Sequence, residues 1–409
     1  MYAYERETTP NLAHVAEQGV KFALAYAPSS TTGPSHASLF TSLYPITHRV
    51  LRNGRVLVPE NETLAERLHA RGYASAGFVS SFVLAQRFGF AQGFDRWDDE
   101  FDPSTATMNP AVWQSKGASA VDRRGDATTR RVLDWLEHGR DPAKPFFLFV
   151  HYFDPHMPYV PPPEITSRFP PADDPSQGFR SLVARYDGEI AFADEQVGAV
   201  LAALDRLGLA ENTLVAITAD HGEGLMQHGQ MEHGVQLYEE QVRVPLLLRW
   251  PGHLEAGRVI ESPVSLIDLA PTLLELLGAP VSDGVMQGQS LAPVVLGRAQ
   301  VDPTRPIFFY RREFEPGVVE GQRVAGEKYG IRLGDWKLVI GPAEGTRELF
   351  DVLHDPRERD ERSAAEPARA AELEQRLRRW LAEYQRDGAA PDASSDEEVE
   401  RLRALGYVK

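Results

Sequence analysis

Leu214-Val215-Ala216-Ile217-Thr218-Ala219-Asp220-His221-Gly222-Glu223 sets a short apolar run directly before an adjacent acid and imidazole. A run of that length, flanked by turn residues, reads as a buried strand. In an open α/β sheet, ligands gather beyond the carboxyl ends of such strands. Asp220 and His221 are both metal-ligand side chains, and a divalent ion needs more than two protein donors. This stretch therefore predicts a core strand and one part of a metal site.

Working outward, residues 76–79, 146–150 and 244–248 are further short apolar runs and read as buried strands. Helical patterns cover residues 11–20, opening at Thr9-Pro10, and 63–71, ending at Gly72. A long amphipathic helix is expected over 185–207 and a second apolar one over 266–277. Strands separated by helices indicate an α/β fold with a mainly parallel central sheet flanked by helices. After Asp302 short strand-like runs follow one another without helices, which predicts a small antiparallel sheet, then a charged helix over 366–386. The expected division is a catalytic α/β domain at 1–300 and an α+β subdomain with a helical tail at 301–409. Residues 102–124 and 158–178 read as long loops suited to substrate walls.

The composition narrows the function. With 409 residues, 42% hydrophobic and 25% charged, the chain can bury one large core and a smaller one. A formal net charge of -16 repels nucleic acid and anionic lipid surfaces, while a local basic pocket can still hold a small anion. There are no cysteines, so thiolate ligands, disulfides and cysteine nucleophiles are excluded. No apolar run approaches the roughly 18 residues of a membrane span.

A second segment carries chemistry. In Thr31-Thr32-Gly33-Pro34-Ser35-His36-Ala37-Ser38, Gly33-Pro34 bends the chain and Ser35 is expected to cap the helix that follows. Thr32 then lies at a helix N-terminus, where free amides favour an anion, and its hydroxyl is a candidate nucleophile once a metal lowers its pKa.

These segments, together with Thr8-Thr9-Pro10-Asn11-Leu12, His151-Tyr152-Phe153-Asp154-Pro155-His156, Tyr238-Glu239, Arg243-Val244-Pro245 and Glu348-Leu349-Phe350-Asp351, occur in an order that resembles the sulfatases of the alkaline-phosphatase-like superfamily. The resemblance covers nearly the whole chain. It implies a metal-dependent hydrolase of sulfate or phosphate esters, with Thr32 at the nucleophile position and Asp220 and His221 as metal ligands, completed by Thr32 itself. His156 and His233 fall where the family contacts the anionic ester, with each able to donate to an oxygen or protonate a leaving group. Asn53 resembles a residue that orients the ester oxygen in related phosphonate and phosphodiester hydrolases. The implied partner is a small anionic ester, such as a sulfated or phosphorylated glycan, lipid or aryl ester, and the implied location is periplasmic or secreted.

Three departures shape the expectation. Sulfatases convert a Cys or Ser at this position to formylglycine within Cys/Ser-x-Pro-Ser-Arg, whereas here Thr32-Gly33-Pro34-Ser35-His36 stands. No formylglycine is therefore expected, and a threonine alkoxide is the better fit. Many sulfatases carry Lys-x-His after the strand that here reads Gly77-Phe78-Val79-Ser80, and neither residue is present. Finally, the family begins with a strand ending in a metal-binding Asp, and this sequence starts at what looks like the segment just after it. One divalent ion is expected: Ca²⁺ by analogy with sulfatases, with Mn²⁺ or Zn²⁺ favoured by an imidazole donor. A phosphodiesterase, phosphonate hydrolase or phosphotransferase, and an inactive or truncated anion-binding homologue, are the alternatives.

Overall fold

A computed structural model describes residues 4–107, 120–170, 177–281, 284–319 and 321–392. Helix α1 (Pro10–Gln18) leads into strand β1 (Val20–Tyr26) at Gly19, where a Cβ would meet the Leu248 carbonyl at 2.1 Å. The sequence reading extended this helix to residue 20 and overlooked the strand. Lys21 and two alanines dilute its β signal, but Val20, Phe22, Ala25 and Tyr26 are all buried in the sheet. Tertiary pairing overrides local preference here.

β1 is central to a five-stranded sheet. It runs parallel to β9 (Arg258–Ile260) and β10 (Val264–Ser265) and antiparallel to β8 (Arg243–Arg249), which pairs in turn with β5 (Val215–Thr218). β8 thus opposes both of its neighbours in an otherwise parallel arrangement. A second sheet is all parallel, in the order β3 (Arg96–Asp98), β2 (Ala74–Phe78), β4 (Phe146–Val150). Among the described residues, β4 and β5 each have one edge without a strand partner. A largely apolar cleft of about 1490 Å³ is lined by both of them and by the long helix Gly178–Arg206, and its polar end holds Thr32, Asp220 and His221.

The helices follow from local chemistry. α2 spans Thr32–Thr41, and α3 (Leu64–His69) opens on a capping box in which Thr63 and Glu66 satisfy each other's backbone amides. α4 covers Gly125–Asp134, α5 Gly178–Arg206 and α6 Leu269–Leu276. No described helix is long and apolar enough to cross a membrane.

The expected antiparallel sheet is present as β11 (Ile307–Val319), β12 (Gln322–Leu333), β13 (Trp336–Gly341) and β14 (Thr346–Asp351), in sequential order. Helix α7 (Pro367–Tyr384) buries Leu373, Leu377 and Trp380 against it, in a cluster that continues into Tyr44, Ile46 and Ile267 of the larger part. The Tyr310 amide donates to Pro28 O at 2.8 Å, so β11 runs beside the loop that leads to Thr32. Of the two expected loops, residues 108–119 and 171–176 lie outside the described residues.

Candidate functional site

Thr32 is the first helical residue of α2, with Thr31 extended at the N-cap. The helix therefore begins earlier than the Gly-Pro bend suggested. Pro34 sits in the first turn, where a missing N–H costs nothing. Ser35 is inside that turn rather than capping it, and its hydroxyl donates to Asp220 O at 2.5 Å, tying α2 to the end of β5. Gly33 donates its amide to Asn53 Oδ1 at 2.7 Å, and a Cβ on Gly33 would lie 2.9 Å from that oxygen. Asn53 thus braces the turn at Thr32, and its buried Nδ2 has no hydrogen-bond partner.

Asp220 and His221 lie next to Thr32 in the folded chain. Thr32 Oγ1 lies 3.2 Å from His221 Nε2. The opposite ring nitrogen, Nδ1, is 2.8 Å from Gly222 O, and a carbonyl can only accept. Nδ1 therefore carries the proton in the neutral ring, leaving the Nε2 lone pair facing Thr32. Asp220 Oδ2 is 3.4 Å from His221 Nε2 and 3.4 Å from His36 Nδ1, and it is buried without a hydrogen bond.

His233 follows the β6 (Gly224–Leu225) and β7 (Met231–Glu232) hairpin and stacks on His221 at 4.0 Å between ring centroids. His156 stands edge-on to His233 at 5.0 Å and stacks on Phe153 at 4.3 Å, while its Nδ1 is 2.6 Å from Met157 O. Thr32, His221, His233 and His156 therefore form a continuous row.

Burial sets the charge of this row. It pushes His156 and His151 down to about 3 and His233 well below its ordinary value, aided by the neighbouring imidazoles. His156 and His233 are consequently neutral at working pH, because burial away from water disfavours the charged ring. Burial also works against ionisation of Asp220, but His221, His36, His151 and His233 together hold it well below the usual carboxylate range.

Two members escaped the sequence reading. His36, noted only as replacing an Arg, is buried beneath Thr32, with Nδ1 3.0 Å from Thr32 O, and is edge-on to His151 at 5.2 Å. Glu223 lies 3.3 Å from His233 Nδ1 and is pushed up to about 7 by burial. Its place in Asp220-His221-Gly222-Glu223 was the available signal. His228 belongs elsewhere: it pairs with Glu240 at 2.6 Å and stacks on Tyr238 at 3.8 Å.

The donor set suits a divalent cation in part. His221 Nε2 lies 3.2 Å from Thr32 Oγ1 and 3.4 Å from Asp220 Oδ2, and that buried carboxylate oxygen makes no hydrogen bond, which leaves it able to accept a cation. Among the described residues no cluster of three or more His, Asp or Glu side chains is arranged to hold an ion, so these donors leave the shell open.

The family model described as Sulfatase matches residues 1–279, more than half of the chain. The chain belongs to the sulfatase family. The model described as N-sulphoglucosamine sulphohydrolase, C-terminal, matches residues 227–387. This sulfatase is 31% identical to N-acetylgalactosamine-6-sulfatase of Canis lupus familiaris over 79% of its own length and 67% of the relative's. It is 30% identical to arylsulfatase A of Homo sapiens over 76% and 67%. It thus spans about two thirds of these relatives. In structure it resembles the phosphonate monoester hydrolase of Agrobacterium radiobacter, with TM-score 0.76, 23% identity, and 94% and 93% of the two chains covered. It also resembles a protein solved in complex with its substrate D-glucosamine-2-N,6-O-disulfate, with TM-score 0.75, 21% identity, and 93% and 94% covered. The last two likenesses establish the alkaline-phosphatase-like fold.

Proposed function

We propose that this sulfatase-family chain hydrolyses sulfate or phosphate esters with Thr32 as its nucleophile. The observation that carries the reading is the Thr32 hydroxyl at the opening of α2, 3.2 Å from His221 Nε2 and beside the unpartnered Asp220 Oδ2. Asp220, His221 and Thr32 would hold one divalent cation, which when bound supplies Lewis acidity that lowers the hydroxyl pKa and offsets charge on the ester.

The chain's own groups position the ester. The neutral N–H of His233, the Asn53 Nδ2 and the Thr32 amide are the donors for its oxygens, while the one N–H of neutral His156 is held by Met157 O. Thr32 Oγ1 attacks sulfur or phosphorus, losing its proton to water, and the bridging oxygen departs. That oxygen takes a proton through His233, whose Nδ1 is replenished by Glu223, the member of the row that titrates near neutrality. Water then cleaves the Thr32 ester, releasing sulfate or phosphate and returning both protons.

Threonine in place of Cys or Ser, with a phosphonate monoester hydrolase among the structural neighbours, favours phosphodiesters or phosphonate esters as the second reading. Turnover of an aryl sulfate, an aryl phosphonate and a phosphodiester with excess Mn²⁺ or Ca²⁺ decides between them. Anion binding without turnover of any of the three would overturn the hydrolase reading in favour of an inactive homologue.

A further inference from the structure

We propose that His228 is a positioning residue for this reaction: with a proton on each ring nitrogen, it pins the β6–β7 hairpin, which leads into His233, to Glu240 on one side and to Glu358 on the other. The inference rests on the reading of His233 as a group that acts on the ester.

The hairpin needs an outside anchor. β6 and β7 are two residues each, and among the described residues they pair only with each other. Within this short stretch the backbone takes positive φ at Met226 (65°) and Glu232 (63°), where a side chain is disfavoured. Such a backbone persists only when its surroundings over-determine it.

The anchor on one side is the short helix Glu239–Val242. At the base of the hairpin Gly222, next to His221, donates its amide to Gln241 O at 2.9 Å, and a Cβ there would fall 2.1 Å from Glu240 O. At the tip, His228 returns to the same helix, with Nδ1 2.6 Å from Glu240 Oε1. The opposite nitrogen, Nε2, lies 3.2 Å from Glu358 O, beyond the C-terminal sheet. A carbonyl and a carboxylate only accept, so both contacts are hydrogen bonds only when both ring nitrogens carry protons. His228 is then an imidazolium, stacked on the Tyr238 ring at 3.8 Å.

The groups around the ring favour that state. Burial opposes the charge, but the Glu240 carboxylate and the Glu358 carbonyl outweigh it and raise the ring above its ordinary value of 6.5. The Glu358 carboxylate is engaged elsewhere, 3.0 Å from Lys337 Nζ and accepting the Glu239 amide at 2.5 Å, while the Tyr238 hydroxyl donates to Glu348 at 2.8 Å. Gln322 of β12 adds a second fastening: it donates to His228 O at 2.9 Å, and its own side-chain oxygen accepts from Gln236 at 2.7 Å. The clamp is complete below pH 6.5 and is lost as pH rises through the raised value, because a neutral ring has one proton for two acceptors. A hairpin released at its tip lets His233 shift, and a misplacement of about 1 Å can cost ~10²-fold in rate.

The test uses the full chain. Imidazole ¹⁵N–¹H spectra of Thr32→Ala, with His228→Gln in the same background for assignment, follow the ring without turnover. Two N–H protons are expected at pH 6, one of them lost with a midpoint above 6.5. Across that midpoint, hydrogen exchange of amides 222–234 should speed up about tenfold or more relative to the rest of the chain, and in Thr32→Ala/His228→Gln it should be fast at every pH. In the active chain, kcat should fall along an alkaline limb with the same midpoint. His228→Gln, whose one amide cannot span two acceptors, should remain folded by thermal unfolding, lose that limb, and lower kcat about tenfold or more at pH 6. Glu240→Gln, which removes the carboxylate that favours the charged ring, should move the limb to lower pH. A single N–H at pH 6, hairpin exchange unchanged on deprotonation, or the same alkaline limb in His228→Gln would each overturn the proposal. Absence of turnover on every ester would sink the hydrolase reading alone, since ring protonation and hairpin exchange are read without it.

Discussion

Replacing Thr32 by Ala removes one hydroxyl and one methyl from a buried position. The structure fixes what that should do to the fold. The hydroxyl is not the cap of α2, since Thr31 holds the N-cap position, and its polar contact is with His221 at 3.2 Å. Losing one hydrogen bond costs about 1 kcal/mol, and one buried methyl about as much again. Alanine's higher helix propensity offsets a few tenths of a kcal/mol. A domain stable by 5 to 15 kcal/mol, the usual range, therefore remains folded. Activity should behave differently, because no neighbouring hydroxyl occupies the same point: Ser35 is committed to Asp220 O. We expect turnover to fall by about 10⁴ or more, the scale seen when a covalent nucleophile is removed. Thr32→Ser, which keeps the oxygen, should retain measurable turnover. The assay is steady-state hydrolysis of the best ester found, alongside thermal unfolding and mass analysis of acid-quenched protein for one sulfo or phospho group on Thr32. Thr32→Ala retaining a tenth of wild-type activity with unchanged unfolding, or an adduct on another residue, would refute the assignment.

Three further outcomes are expected. Chelation should remove activity that excess Mn²⁺ or Ca²⁺ restores, and Asp220→Asn should raise the metal concentration needed by tenfold or more; metal titration of activity and of melting temperature checks both. Asp154 is pushed up to about 7 by burial, so the folded chain keeps a proton that the unfolded chain releases near 3.8; its contribution is complete below that pH and lost as pH rises to about 7. Asp154→Asn should flatten this decline, by about 3 kcal/mol between pH 5 and pH 8 in urea unfolding. Lys337 is fully buried between Glu239 at 3.2 Å and Glu358 at 3.0 Å, so Lys337→Met leaves two carboxylates unpaired and should cost about 3 to 5 kcal/mol in the same unfolding assay.

Much of the architecture was legible because it rests on patterns that survive in one dimension. Phe146–Val150 is a strand over the predicted residues, and β5 and β8 fall within one or two residues of their predicted bounds. The four C-terminal strands form the expected antiparallel sheet. β1 was missed because its β character comes from neighbours on both sides and not from its own residues. Ser35 was misread as a cap because Gly33-Pro34 looks like a bend, whereas proline within a first helical turn is well tolerated.

For the site, the sequence by itself determined the chemical types and their local order: an acid and an imidazole after a strand, a hydroxyl before Gly-Pro, and histidines at 156 and 233. Those follow from short-range spacing. Only the tertiary structure decided which groups face Thr32, and that His36 and Glu223 join them. It also decided that His156 and His233 are neutral. Proton affinity depends on how much water a group has lost and which charges surround it, and both are set by segments more than a hundred residues apart that pack together only in the folded chain.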